Sequence, residues 1–161
     1  MESTKDNTGL SLRSAVVGDG DKILHWRNDP WIVSLSSSQR LVDPVEHKVW
    51  FQNALNDPAH SINLILLDEK EIGLLRLHRT DADQASISIY LLRESCGKGY
   101  GPRAIGLACE KAWNLWPISR INAVTHKTNT ASERSFKKNG FIVVTTPGNP
   151  ATDLLLLCKY R

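Results

Sequence analysis

The stretch Glu94–Arg103 reads ESCGKGYGPR and puts glycine at every second position, Gly97, Gly99 and Gly101, with Lys98 and Tyr100 between them. So regular a loss of side chains suits a backbone that must turn left-handed or let a bulky group come close. The preceding segment, QASISIYLLR, alternates in character and predicts a strand. Its Ser86, Ser88 and Tyr90 point one way, and Ile87, Ile89 and Leu91 the other. The following segment predicts a helix from about Pro102 to Trp116, with Ile105, Ala108, Cys109, Ala112 and Trp116 as its buried stripe and Pro117 as its end. A strand feeding glycines into a helix start gathers unpaired N–H groups at the positive end of the helix dipole. Such a nest binds phosphate, and Lys98 adds charge at its rim.

Three phosphate-binding readings compete for this loop. A P-loop needs G-x-x-x-x-G-K-[ST], and the chain has no such string. A dinucleotide fold wants the loop after its first strand and an acidic residue about twenty positions on; here several strands come first, and positions 117–127 hold no Asp or Glu. The third reading is the pyrophosphate of coenzyme A, held mid-chain between antiparallel strands and a long helix.

Working outward, LSLRSA (Leu10–Ala15) predicts a first strand, and GDGDKILHWRNDP a short helix stopped at Asp29-Pro30. DPVEHKVWFQNALNDP predicts the clearest helix, with Asp43 as cap, Pro44 in the first turn and Glu46 completing a capping box. Its His47, Trp50, Phe51 and Ala54 share one face. SINLILL, EIGLLRLHR and QASISIYLLR are three strands divided by charged turns. After the long helix come a strand (RINAVT), a helix (TNTASERSFKKNG, capped by Thr130 with Glu133 and stopped by Gly140), and two strands, FIVVTT and DLLLLCKY. The order describes one α/β domain over 9–161 with a mixed, mostly antiparallel sheet flanked by helices, behind a flexible terminus at 1–8.

Composition narrows the function classes. The 161 residues are 41% hydrophobic and 23% charged, with a formal net charge of +3, the balance of one folded domain without a nucleic-acid-binding stripe. Three cysteines without CxxC spacing argue against a disulfide scaffold or a metal site and for a reducing compartment. The start is polar, and no apolar run is long enough to span a bilayer, so the expected location is cytoplasmic, with no membrane partner.

CGKGYG (Cys96–Gly101) resembles the Q/R-x-x-G-x-G/A pyrophosphate signature of the GNAT superfamily of acyl-CoA-dependent N-acyltransferases. About thirty residues on, NTASERSFKKNGF resembles that family's N-x-x-A/S-x-x-x-Y-x-x-x-G-F helix. Cys96 stands where the family usually has Gln or Arg, and Phe136 where many members have the Tyr assigned as general acid, a role phenylalanine cannot fill. The N-terminal string HWRNDPWIVSLSSSQRLVDPVEHKVWF resembles amino-sugar N-acetyltransferases of bacterial nonulosonic-acid pathways and, more loosely, ribosomal-protein N-terminal acetyltransferases.

The resemblance implies acetyl-CoA as co-substrate, no metal, a small amine acceptor such as a nucleotide-linked amino sugar, and room for a homodimer. It implies that the backbone at Tyr90, Leu91 and Leu92, the loop Cys96, Gly97, Lys98, Gly99, Tyr100 and Gly101, and Asn129 and Phe136 meet the coenzyme. The alternatives are a ribosomal-protein-type N-terminal acetyltransferase and an acyl-CoA-binding module without catalysis. For the acceptor, Trp26 and Trp50 suit stacking, Arg27 with Asn28 a diphosphate, and His47 a hydroxyl or the amine. Trp50 equally suits core packing. The titratable candidates for a base are His126, at a strand end near Asn129, and His78. Each also reads as a solvated or hydrogen-bonded structural residue.

Overall fold

The computed structural model describes residues 8–144 and 152–161. The flexible terminus expected at 1–8 and the last two residues of FIVVTT therefore fall largely outside the described residues. The elements are β1 (Leu10–Ser14), α1 (Gly20–Arg27), α2 (Pro30–Leu35), α3 (Pro44–Leu55), β2 (His60–Leu67), β3 (Lys70–Arg79), β4 (Gln84–Leu91), α4 (Tyr100–Leu115), β5 (Arg120–His126), α5 (Thr130–Lys138), β6 (Ile142–Val144) and β7 (Leu154–Tyr160). The strands form one seven-stranded sheet in the order β1-β2-β3-β4-β5-β7-β6. Every pairing is antiparallel except β4 with β5.

A core lies on each face of this sheet. On one face the stripe Ile105, Ala108, Cys109, Ala112 and Trp116 of α4 is buried against Leu75, Leu77, Ile87 and Ile121. Burying a side chain the size of Ile105 contributes roughly 2 kcal/mol. On the other face Ile23 of α1 and Phe51 and Ala54 of α3 close over Leu64 and Leu74, with Trp50 and Tyr90 packed at the edge. The alternation expected in β4 holds: Ile87 and Ile89 face the α4 side and Tyr90 the α1/α3 side.

Three local expectations are corrected. Asp29-Pro30 ends α1 but also starts α2, because the Asp29 carboxylate accepts from the Trp31 N–H at 2.9 Å and Pro30 fits the first position. At α3 the Asp43 cap behaves as read, accepting from the Val45 and Glu46 N–H groups. Helix α4 starts at Tyr100, two residues before Pro102, with Gly99 as its cap residue. The cap of α5 is Asn129, which accepts from the Ser132 N–H at 3.2 Å, so the box expected at Thr130 sits one residue too late. Cys109 and Cys158 are buried and free, and Cys96 is half-buried and free.

Candidate active site

The site begins where two strands part. β4 and β5 pair from Gln84 with Arg120 only as far as Ile87 with Ala123, although β4 continues to Leu91 and β5 to His126. Beyond that point the strands diverge and leave a wedge in the sheet. The phase of the β3–β4 ladder decides what lines it. The Thr80 N–H bonds the Gln84 carbonyl and the Leu92 N–H the Ile72 carbonyl, so the even-numbered residues of β4 bond to β3. The main-chain groups of Ile89 and Leu91 face the wedge. Of the backbone set expected at Tyr90, Leu91 and Leu92, only Leu91 turns its main chain to the wedge; Tyr90 bonds to β3, and the Leu92 N–H does the same while its carbonyl accepts from the Ser95 N–H.

The glycine loop sits at the end of the same strand. Gly97 and Gly99 have φ of +73° and +83°, and a Cβ built on either meets no atom within 4 Å. Both therefore need the left-handed region and open onto free space, which is the geometry of a nest. Gly101 has a different reason. Its Cβ would come within 3.3 Å of Ser135 Oγ, so it is small to let α4 and α5 approach. The Asn139 side-chain amide donates to the Pro102 carbonyl at 2.8 Å and holds that approach.

A continuous cleft of about 880 Å³ joins this loop to a second chamber beneath α3. Its loop side is lined by Cys96, Gly97, Gly99, Tyr100, Gly101, Asn129, Phe136 and the cations Arg134 and Lys138. Lys137, by contrast, is paired with Glu133 at 2.6 Å. Phe136 is 2% exposed and packs edge-on against Phe141, so it forms the inner wall. Cys96 directs its thiol toward the Leu92 carbonyl at 3.5 Å. Lys98 is exposed, outside this lining.

The far chamber is lined by Arg27, His47, Trp50, Arg76, Tyr90 and, at its rim, the exposed Glu46. The Arg76 guanidinium carbon lies 5.2 Å from the Trp50 ring centre. His47 is 6% exposed, stacks flat on Phe51 with ring centres 5.8 Å apart, and leaves its Nε2 without a hydrogen-bond partner. Burial holds its pKa below the usual histidine value, so the ring is neutral at pH 7. The Tyr90 hydroxyl is likewise buried and unpartnered, and burial pushes its pKa well up, which keeps it a phenol. Thr125 Oγ1, at the mouth of the wedge, is a third buried polar atom without a partner. Orphans of this kind are uncommon in folded proteins, and of the five among the described residues three line this cleft, the other two being Trp31 Nε1 and His60 Nδ1.

Several sequence candidates land elsewhere. Trp26, one residue from Arg27 and so about 100° around the helix, lines an adjacent hollow of about 430 Å³ with Trp31, Leu92 and Arg93. Asn28 spends both ends of its amide on the Val42 main chain, donating at 2.8 Å and accepting at 2.7 Å. It braces the 36–43 segment instead of facing an acceptor. His126 ends β5 with Nδ1 2.7 Å from Thr128 Oγ1. His78 stacks on His60, with ring centres 4.0 Å apart and 6° between planes. Neither histidine lines the cleft. Arg76 and Arg134 were missed. Arg76 stands in EIGLLRLHR as one polar residue of a half-buried strand, and only the ring across from it distinguishes it from an ordinary surface arginine.

Residues 10–142 match the family model described as an acetyltransferase (GNAT) domain. No curated protein matches the chain in sequence. Among solved structures, spermidine N-acetyltransferase from Vibrio cholerae, in complex with CoA and spermine, is similar with TM-score 0.83 at 18% identity, covering 96% of each chain. AAC(6')-Ib with ribostamycin and coenzyme A is similar with TM-score 0.81 at 17% identity over 95% of this chain and 94% of that one. RimL, a ribosomal alpha-N-protein acetyltransferase in complex with coenzyme A, gives TM-score 0.80 at 15% identity over 99% and 98%. At these identities the three structures carry the fold, while the family match carries the assignment. The chain belongs to the GNAT family of acyl-CoA-dependent N-acetyltransferases.

Proposed function

We propose that the protein transfers the acetyl group of acetyl-CoA directly to the primary amine of a nucleotide-linked amino sugar. The observation that carries this reading is the single cleft running from the Gly97–Gly99 nest, past the wedge-facing main chain of Ile89 and Leu91, into the Arg27–Trp50–Arg76 chamber. The nest residues, with Arg134 and Lys138, suit the coenzyme's phosphates. An N–H of Ile89 or Leu91 is available to the thioester carbonyl as its oxygen gains charge. The neutral amine nitrogen attacks the carbonyl carbon, the C–S bond breaks, and the proton that the nitrogen gives up passes through water to the leaving thiolate. A thiol of pKa about 8.5 is a tolerable leaving group near neutrality, so the missing acid at Phe136 costs little. Holding amine and thioester in one cleft supplies most of the rate gain by making the encounter effectively unimolecular.

The similar structures hold aminoglycoside, polyamine and ribosomal-protein enzymes in turn. A basic peptide or polyamine calls for carboxylates, whereas among the described residues Glu46 is the one acidic residue lining this cleft, against Arg27, Arg76, Arg134 and Lys138. The test is acetyl-CoA-dependent release of free thiol with a nucleotide-linked amino sugar, spermidine, an aminoglycoside and a basic N-terminal peptide. Turnover of the sugar is expected. Turnover of the peptide instead would move the assignment to the N-terminal acetyltransferases. Coenzyme binding with no turnover of any amine would make the chain a binding module, the reading that the Cys96 and Phe136 departures keep open.

A further inference from the structure

Arg76 occupies an unusual position. It projects from the middle of β3 toward α3, two residues along from the buried Leu74 and directly opposite Ser88 of β4. Its guanidinium lies against the Trp50 ring. Among the described residues no carboxylate pairs with it, although Arg13 and Lys22 elsewhere in the chain find Asp19 and Glu71 at 2.7–3.3 Å. Arg27 is the charge that bears on it most, and it has the same sign. Arg27 is held in place by its own bonds to Ser38 Oγ and the Arg40 carbonyl. Two like charges converging in a half-buried chamber are unfavourable in the free protein unless something of opposite sign enters. Beside them the His47 Nε2 and Tyr90 hydroxyl are buried and unpartnered, and His47 is more than nine-tenths buried.

Resting on the reading of this chamber as the acceptor site, we infer that Arg76 is its anion anchor, and that the amine substrate carries an oxyanion which Arg76 and Arg27 grip while Trp50 covers its neighbouring atoms. A guanidinium suits this task because its planar fork donates two parallel hydrogen bonds to a phosphate or carboxylate. The Trp50 face on one side fixes the plane of that fork. The arrangement selects by charge: polycationic amines are repelled from the chamber in which an anionic amine is held.

The test measures binding, not turnover, so it stands apart from the acetyl-transfer assay. The full chain, saturated with coenzyme A so that the glycine nest is filled, is titrated calorimetrically with pyrophosphate, UDP, succinate and spermidine. At least one of the three anions is expected to bind, with Kd rising at least tenfold in Arg76→Met while coenzyme A affinity stays unchanged. Tight UDP binding would support the nucleotide reading as well. Pyrophosphate or succinate binding, with nothing gained from the uridine, would keep the anchor and remove the nucleotide. Anion affinity unaffected by Arg76→Met, or spermidine binding more tightly than any anion, would overturn the anchor even if the nucleotide sugar were acetylated. Should Arg76→Met lose coenzyme A affinity along with its fold, Arg76→Lys decides. It keeps the charge and loses the fork, so anion binding should weaken about threefold or more, and unchanged binding would overturn the inference.

Discussion

Asn28 clasps the Val42 main chain from both sides, its amide nitrogen donating to the carbonyl at 2.8 Å and its oxygen accepting from the N–H at 2.7 Å. That pair of bonds ties the end of α1 to the segment entering α3, and so sets the Val42 wall of the cleft's far chamber. Replacing Asn28 by Ala removes two half-buried bonds and strands both Val42 groups, a loss of about 1–3 kcal/mol. We expect a lower urea midpoint, a raised KM for the amine and unchanged affinity for coenzyme A. Unchanged stability would return Asn28 to the direct contact role.

Gly99 sits at φ +83° with open cleft where a side chain would go. Gly99→Val places a β-branched residue in a backbone region that costs roughly 1–2 kcal/mol for L residues, and its methyl groups enter the space beside the nest. Coenzyme A affinity by calorimetry should fall at least tenfold, with a far-UV spectrum like that of the wild type. Unchanged affinity would mean that the loop is not the phosphate site.

Phe136 is 2% exposed and meets Phe141 edge-on at 5.0 Å. Restoring the family's tyrosine there adds a hydroxyl to a packed aromatic pair. A buried hydroxyl without a partner costs about 1–3 kcal/mol. Phe136→Tyr should lower the urea midpoint without raising kcat. A severalfold rise in kcat would show that leaving-group protonation limits the wild-type enzyme.

Acid should weaken the fold in two separate windows. Burial depresses the His47 and His60 pKa values in the folded state, with the facing His78 charge a further cause at His60. The unfolded chain then binds more protons below about 6.5, so stability falls as pH drops from there. Asp19 adds a second window. Burial alone would raise its pKa, but hydrogen bonds from Arg13, the Val16 N–H and Lys22 overcome this and bring it down to about 2. Its contribution is therefore complete above the unfolded carboxylate value of 3.8 and is lost between there and about 2. Urea titrations at a series of pH values should show His47→Leu flattening the upper window and Asp19→Asn the lower one. A His47→Leu curve parallel to wild type between pH 7 and 5 would contradict the depressed histidine.

Among the described residues the amino-acid order by itself determined every strand and all but one α-helix, because side-chain period, caps and prolines act within a few residues of where they stand. The left-handed Gly97 and Gly99, the buried stripe at Ile105, Ala108, Cys109 and Ala112 and the Asp43 cap are of this kind, whereas Gly101 proved to lie inside α4. The errors at short range were of phase: α2 begins on the same Asp29-Pro30 that ends α1, and the cap of α5 is Asn129 instead of Thr130. Tertiary structure alone decided the site. That β4 and β5 part after Ile87 depends on a ladder between segments thirty-six residues apart in sequence, and that Ile89 and Leu91 face the wedge depends on the phase of the β3–β4 ladder. His126 and His78 offered base chemistry, yet the Thr128 hydroxyl and the His60 ring are what they meet and neither lines the cleft, while Arg76 looked ordinary until α3 laid Trp50 across it. A side chain's type is written locally, but its partner is supplied by whichever distant segment the core brings against it, and in this chain that partner sets the function of the residue.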